Sequence, residues 1–256
     1  MKQYAGYLID LDGTMYRGKE RIEEAVHFVN MLKQKDVPYL FVTNNSSRTP
    51  EQVAAKLISM EIPATTEQVF TSSMATANFI AAENNHASVY FIGEEGLEYA
   101  LKQAGLTVVD ENPDYVVMGI DREITYEKLA KGCLYIRAGA KYIATNSDIA
   151  IPTERGFLPG NGALSSVLTV STGVQPLLIG KPEAIIMELA LNTLGTTKEE
   201  TLMIGDNYNT DILAGIHAGI DTLLVHTGVT TKEHLKTYEI QPTYVINSLE
   251  EWLDKI

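Results

Sequence analysis

Short apolar runs alternate with longer stretches of helical spacing from the start of the chain. Tyr7 to Leu11 reads as a short buried strand. Glu23 to Lys35 follows with helical periodicity, placing Val26, Val29 and Leu32 on one face. Tyr39-Leu40-Phe41-Val42 predicts a second strand, ending at Thr43-Asn44-Asn45. Thr49-Pro50-Glu51-Gln52 then opens a helix: Thr caps it, Pro suits the first helical position, and Gln completes a capping box. Val69-Phe70-Thr71 predicts a third strand, followed by a helix from about Met74 to Ala82.

The polar stretch Ala81 to His86 reads as a linker, and the pattern then restarts. Strands are expected at 88–92, 115–118 and 142–144, and helices at 96–104 and 126–138. A loop rich in Gly and Pro, Pro152 to Gly162, closes this unit, and Pro176 to Pro182 leads back out. The last part repeats the first: a helix at 184–194, a strand at 201–206, a helix at 211–218, a strand at 222–225 and a terminal helix at 249–256. Strands alternating with helices predict an α/β fold with a parallel sheet and right-handed crossovers. The expected division is a core built from residues 1–80 and 180–256, with residues 81–179 inserted as a second α/β unit.

Composition narrows the setting. The 256-residue chain is 45% apolar and 21% charged, as in an ordinary globular protein. A net charge of -13 argues against a nucleic-acid-binding surface, which needs a basic patch. The single cysteine, Cys133, permits no intrachain disulfide; it reads as core filler in a helix and fits a reducing compartment. No stretch approaches the roughly 18 consecutive apolar residues of a membrane span, and the first residues lack a signal-peptide pattern. The expectation is a cytoplasmic protein without nucleic-acid or membrane partners. The inserted unit could present a sheet edge for a homodimer, although nothing in the sequence demands one.

Chemistry concentrates at strand ends. Asp10-Leu11-Asp12-Gly13-Thr14 brings two carboxylates to the exit of the first strand. Thr43-Asn44, Lys181, and Gly205-Asp206-Asn207 with Asp211 occupy equivalent places. In open parallel α/β sheets, ligands bind outside the carboxyl ends of the strands. Such a set suits phosphoryl transfer. Asp10 can attack phosphorus and form an aspartyl-phosphate. Asp10, Asp206 and the substrate phosphate could hold Mg²⁺, with the Asp12 carbonyl and waters completing the shell. Asp12 can protonate the leaving oxygen and later deprotonate the attacking water. The Thr43 hydroxyl and Asn44 backbone N–H would hold phosphoryl oxygens, and Lys181 would neutralise charge. Asp211 and Asn207 would support the metal shell or Lys181.

These four segments, in this order, resemble the four motifs of the haloacid dehalogenase superfamily. The Thr-Asn-Asn form of the second motif and the large insertion resemble its class IIA, the NagD-type or p-nitrophenylphosphatase-like phosphatases. Ala144-Thr145-Asn146-Ser147-Asp148, Pro152-Thr153 and Leu158-Pro159-Gly160-Asn161-Gly162-Ala163 look like that class's cap signature, with Ser147 where Pro is usual. The resemblance covers essentially the whole chain. It implies a Rossmann-like core, an inserted α/β cap of the C2 type, and Mg²⁺-dependent hydrolysis of small phosphate monoesters such as sugar phosphates or nucleoside monophosphates. It implies Asp10, the Asp12 carbonyl and Asp206 as metal ligands. Asn146 and Asp148 are candidates for facing the leaving group from the cap.

Other readings are weaker. Gly160-Asn161-Gly162 has Ser165 where a dinucleotide loop needs a third glycine, and no strand closely precedes it. The five histidines show no ligand spacing. A dehalogenase would not need the Asp12 acid or the Asp206/Asp211 pair. A phosphomutase or phosphotransferase would share the nucleophile, and a small-ligand-binding protein on the same fold would have lost a motif residue, whereas none is lost.

Overall fold

The computed structural model describes residues 2–256. Its contacts divide it into two units: Met1–Thr43, Glu51–Phe70 and Lys181–Ile256 form one, and Asn44–Pro50 with Thr71–Gly180 form the other.

The first unit is built on a six-stranded sheet in the order Tyr244–Ile246, Asp221–Val225, Thr201–Gly205, Gly6–Ile9, Tyr39–Thr43, Val69–Thr71. Gly6–Ile9 lies in the middle and pairs in parallel with Thr201–Gly205 on one side and Tyr39–Thr43 on the other. All three strands are buried along their whole length, which explains why they read as unbroken apolar runs rather than alternating ones. The two sheet faces still separate with period two. Tyr7, Ile9, Tyr39, Phe41, Leu202, Ile204, Leu223 and Val225 share one core with Phe28, Val29 and Leu32 of the helix Glu23–Gln34 and with Leu57 and Trp252. On the opposite face Gly215, in the helix Leu213–Ala218, lies so close to Met203 that an added Cβ would touch its side chain at 3.3 Å.

The second unit has its own parallel sheet, in the order Leu177–Leu178, Lys141–Ala144, Tyr115–Met118, Ser88–Ile92, Thr107–Val108. Tyr90, Ile92, Val116, Met118, Ile136, Tyr142 and Leu168 form its core, and Cys133 packs partly buried against them. The fold is thus α/β with a parallel-sheet core and a second α/β unit, as the alternating pattern predicts. No helix among the described residues is long and apolar enough to cross a membrane.

Several local features depart from the sequence reading. The Gly- and Pro-rich stretch expected as a loop forms an antiparallel hairpin, Ala150–Thr153 with Gly156–Pro159. Two prolines are tolerated there because a two-stranded ribbon leaves an outer row of N–H groups unneeded by any neighbour. The helix Asn161–Thr172 follows without having been expected, since its Ser- and Thr-rich sequence carries weak helical periodicity. Leu177–Leu178 joins the sheet as an edge strand instead of only leading out. The terminal helix is a 3-10 helix, Leu249–Lys255. The helix expected from Asp211 begins with a π-helical turn, Tyr208–Ile212.

The helix Glu23–Gln34 ends with Val37 N–H donating to the Leu32 carbonyl at 3.0 Å and Asp36 in the left-handed region, φ 55°. That closure normally uses glycine, because a Cβ there crowds the backbone. Asp36→Gly is expected to stabilise the protein by roughly 0.5–1 kcal/mol, and Asp36→Ala to give no such gain. Urea unfolding of both variants beside the parent checks this.

Candidate active site

Three neighbouring strands end together. Gly6–Ile9 delivers Asp10, whose N–H still donates to the Ile204 carbonyl at 2.9 Å, one residue beyond the strand. Tyr39–Thr43 ends in the buried Thr43, and Thr201–Gly205 delivers Asp206. The π-helical turn then swings Asp211 back over Gly205. An added Cβ on Gly205 would fall 2.2 Å from the Asp211 Cβ, so only glycine fits there. Carboxylate oxygens of Asp10, Asp206 and Asp211 lie within 4.8 Å of one another, and all three residues are buried.

Lys181 reaches this cluster from the segment preceding the helix Ala184–Leu194 and is 2% exposed. Its Nζ donates to Asp10 Oδ1 at 2.5 Å, Asp211 Oδ1 at 2.8 Å and the Val42 carbonyl at 3.0 Å. Asp211 Oδ2 accepts from the Asn207 N–H at 3.1 Å. Asp206 is held separately: Thr14 Oγ1 donates to its Oδ1 at 3.2 Å and the Val229 N–H to its Oδ2 at 2.6 Å. Cβ atoms added to Gly13 and Gly228 would sit 2.4 and 1.9 Å from Asp206 Oδ2. Backbone on two sides therefore fixes that carboxylate.

The charges do not balance without help. Burial, then the charge of Asp211, pushes Asp10 well above the ordinary carboxylate range, while Lys181 pulls it down. Asp206 is pushed up to about 7 by burial and by Asp211, against the opposing Val229 N–H, Thr14 hydroxyl and Lys181 charge. Burial works against the Lys181 ammonium, yet Asp10 and Asp211 outweigh it and raise its pKa. One ammonium faces three carboxylates. The missing positive charge, the oxygen-only donors and the fixed Asp206 fit a hard divalent cation.

The structure brings Asp10, Lys181, Asp206 and Asp211 together. Asp12 stays exposed outside this buried cluster, with the Tyr16 hydroxyl donating to its Oδ2 at 3.3 Å. Asn207 supports the π-helical turn, accepting the Asn209 N–H at 3.0 Å through its side chain. Asn44 groups with the second unit. There its carbonyl accepts from Ser72 Oγ and Asn146 Nδ2, both at 2.8 Å, and its amide donates to Asp148 Oδ1 at 3.1 Å. Asn146 Oδ1 in turn accepts the Asp148 N–H at 3.1 Å. Asn45 Oδ1 accepts the Ser47 and Arg48 N–H groups and so stabilises the turn. Sequence reasoning missed Thr14 and the loop Thr227–Thr230. The signal was present: that loop follows the strand ending at Val225, at the same sheet edge as the other groups.

Residues 7–107 match the family model of haloacid dehalogenase-like hydrolases, and residues 178–252 match a second model of HAD-like hydrolases. The chain is 68% identical to the 5'-nucleotidase YutF of Bacillus subtilis over 256 residues, covering 100% of both chains. It is 54% identical over 250 residues to an acid sugar phosphatase of Staphylococcus haemolyticus, covering 97% of this chain and 95% of the other. NagD from Escherichia coli K-12 superposes with a TM-score of 0.92 at 32% identity, covering 98% of each chain.

The Asp206 shift has a thermodynamic consequence in the metal-free protein. Its pKa is about 7 when folded against about 3.9 in an unfolded chain. Between those values the folded state holds the proton and the unfolded state does not, so stability falls as pH rises from about 4 to 7 and then levels. With about 1.4 kcal/mol per pKa unit, the loss is on the order of a few kcal/mol. Denaturant unfolding in EDTA at pH 5.5 and 8 is expected to show this slope. Asp206→Asn should reduce this slope, leaving the part that the raised Asp10 contributes, and a divalent cation should restore stability at pH 8.

Proposed function

The chain belongs to the haloacid dehalogenase superfamily, in its class IIA of NagD-type phosphatases, and is a phosphoric monoester hydrolase; on that premise we propose that it cleaves small soluble phosphate monoesters through an aspartyl-phosphate on Asp10. The observation that carries the reading is the buried Asp10 carboxylate, bonded to Lys181 within a cluster of three acids at the end of the central strand.

In the first step an Asp10 carboxylate oxygen attacks phosphorus and the bond to the leaving oxygen breaks. Asp12 gives its proton to that oxygen, which departs as the free alcohol. In the second step Asp12, now ionised, takes a proton from water. The resulting hydroxide attacks phosphorus, releasing inorganic phosphate and regenerating Asp10. The Thr43 hydroxyl and the Asn44 N–H bind phosphoryl oxygens, and the Lys181 ammonium offsets the charge that collects on Asp10 and the phosphoryl group. Asp211 supports this by holding Lys181 at 2.8 Å. Asp10, Asp206 and the Asp12 carbonyl would hold Mg²⁺, which would supply the positive charge that lets an anionic nucleophile approach an anionic substrate.

The relatives' names support nucleoside monophosphates and sugar phosphates as the substrate class. The wild type is expected to hydrolyse p-nitrophenyl phosphate with Mg²⁺ and not with EDTA. Asp10→Asn should lower turnover by about 10³-fold or more, because an amide is a poor nucleophile. Retained activity in that variant would refute covalent catalysis by Asp10. Asp12→Asn should slow alkyl phosphates by about 10²-fold or more and p-nitrophenyl phosphate far less, since nitrophenolate leaves without protonation. Equal losses on both would remove Asp12 from the acid's role.

A further inference from the structure

Asp12 is unlike the other acids of the site. It is exposed, and an exposed aspartate ordinarily samples several rotamers, which an acid that must deliver a proton to one atom cannot do without loss. The structure surrounds it with contacts that no role described above uses. The Tyr16 hydroxyl, on a buried ring, donates to Asp12 Oδ2 at 3.3 Å. The Lys56 ammonium lies 3.6 Å from the centre of that ring and holds it from behind. The next residue, Gly13, is tied at both ends of its backbone. Its N–H donates to the Tyr16 carbonyl at 2.8 Å, and its carbonyl accepts from Thr227 Oγ1 at 2.6 Å. Arg17 Nε donates to the Thr227 carbonyl at 2.5 Å, which closes a ring of contacts from Asp12 through Tyr16 and Arg17 to Thr227 and back through Gly13.

We propose that Tyr16 and Thr227 are positioning residues for proton transfer: together they brace Asp12, one at the carboxylate and the other at the adjoining peptide. The proposal rests on the reading of Asp12 as the acid and base. Thr227 is suited to the task by its place. Two residues on, Val229 fixes Asp206, so the same loop sets Asp12 and Asp206 relative to one another. Gly13 has φ 90° and no room for a side chain against Asp206, so its peptide depends on such external ties rather than on its own packing.

A brace for proton delivery has a signature that general destabilisation lacks: its loss is felt in proportion to the leaving group's need for a proton. The variants are Tyr16→Phe, Thr227→Val and Thr227→Ser, assayed with an alkyl phosphate and with p-nitrophenyl phosphate, beside Asp12→Asn. Tyr16→Phe and Thr227→Val are expected to lower kcat on the alkyl ester about 10-fold while changing p-nitrophenyl phosphate by less than about 2-fold. Thr227→Ser, which keeps the hydroxyl, should restore the alkyl rate. Thermal unfolding and calorimetric Mg²⁺ binding to each variant separate a folding or metal defect from the kinetic one. Equal losses on both esters, or wild-type rates in both variants, would overturn the brace, provided Asp12→Asn itself discriminates between the esters. Failure of Asp12→Asn to discriminate would overturn the acid–base reading instead, and the brace with it.

Discussion

The Lys181 ammonium stands among carboxylates that have almost no access to water, and the arrangement of this sheet edge follows from that burial. A lone buried carboxylate would take up a proton or move to solvent. Lys181 opposes this for Asp10 and Asp211 by bonding both, and the Val42 carbonyl fixes its own position. The bond also joins distant parts of the chain, since Asp10 follows the first strand and Lys181 is 171 residues away. Removing either charge from such a pair leaves its partner buried and uncompensated, typically at a cost of about 3–5 kcal/mol. Site and fold are thus coupled: the polar centre can exist only where three strand ends already converge.

A single ammonium cannot neutralise three acids. Asp206 has no bond to Lys181 among those described above; its carboxylate is held by two other donors and enclosed by the backbone at Gly13 and Gly228. Held this way it cannot turn aside to relieve repulsion. A cation bound at this cluster would relieve the repulsion, and its binding would then be coupled to folding stability. The glycines matter here for space rather than flexibility: at Gly205, Gly13 and Gly228 any side chain would occupy volume that a carboxylate needs.

Much of this was legible in the chain. The apolar runs ending in Asp10, Thr43 and Asp206 identified the strands and where they stop, because fully buried parallel strands read as unbroken apolar runs. The convergence of Asp10, Lys181, Asp206 and Asp211 followed from one topological rule applied to residues far apart in sequence. What escaped was chemistry done by backbone and by ordinary hydroxyls. Val229 contributes an N–H, which every residue but proline has, and Thr14 and Thr227 are composition-neutral. The hairpin Ala150–Pro159 escaped because its prolines signal a turn more strongly than its short, exposed strands signal pairing. The helix Ser72–Glu83 shows the limit of punctuation as a guide: the linker-like residues after it suggested a boundary at 81, yet its contacts group it with the second unit.

Asp10 and Asp12 stand two residues apart and live in opposite environments. Asp10 is buried, and burial with the charge of Asp211 pushes its pKa well above the ordinary carboxylate range against the pull of Lys181. Asp12 is exposed beyond the strand end, where the positive φ of Gly13 turns the chain. A nucleophile benefits from the first setting, since a desolvated anion is reactive and held on target. A group proposed to give up a proton in one step and recover it in the next benefits from the second, since exposure leaves it within reach of water. Identical side chains thus meet different environments, which suit the different roles proposed for them. The turn at Gly13 is what separates them, and that turn is shaped by the same carboxylate, Asp206, that leaves no room for a side chain there.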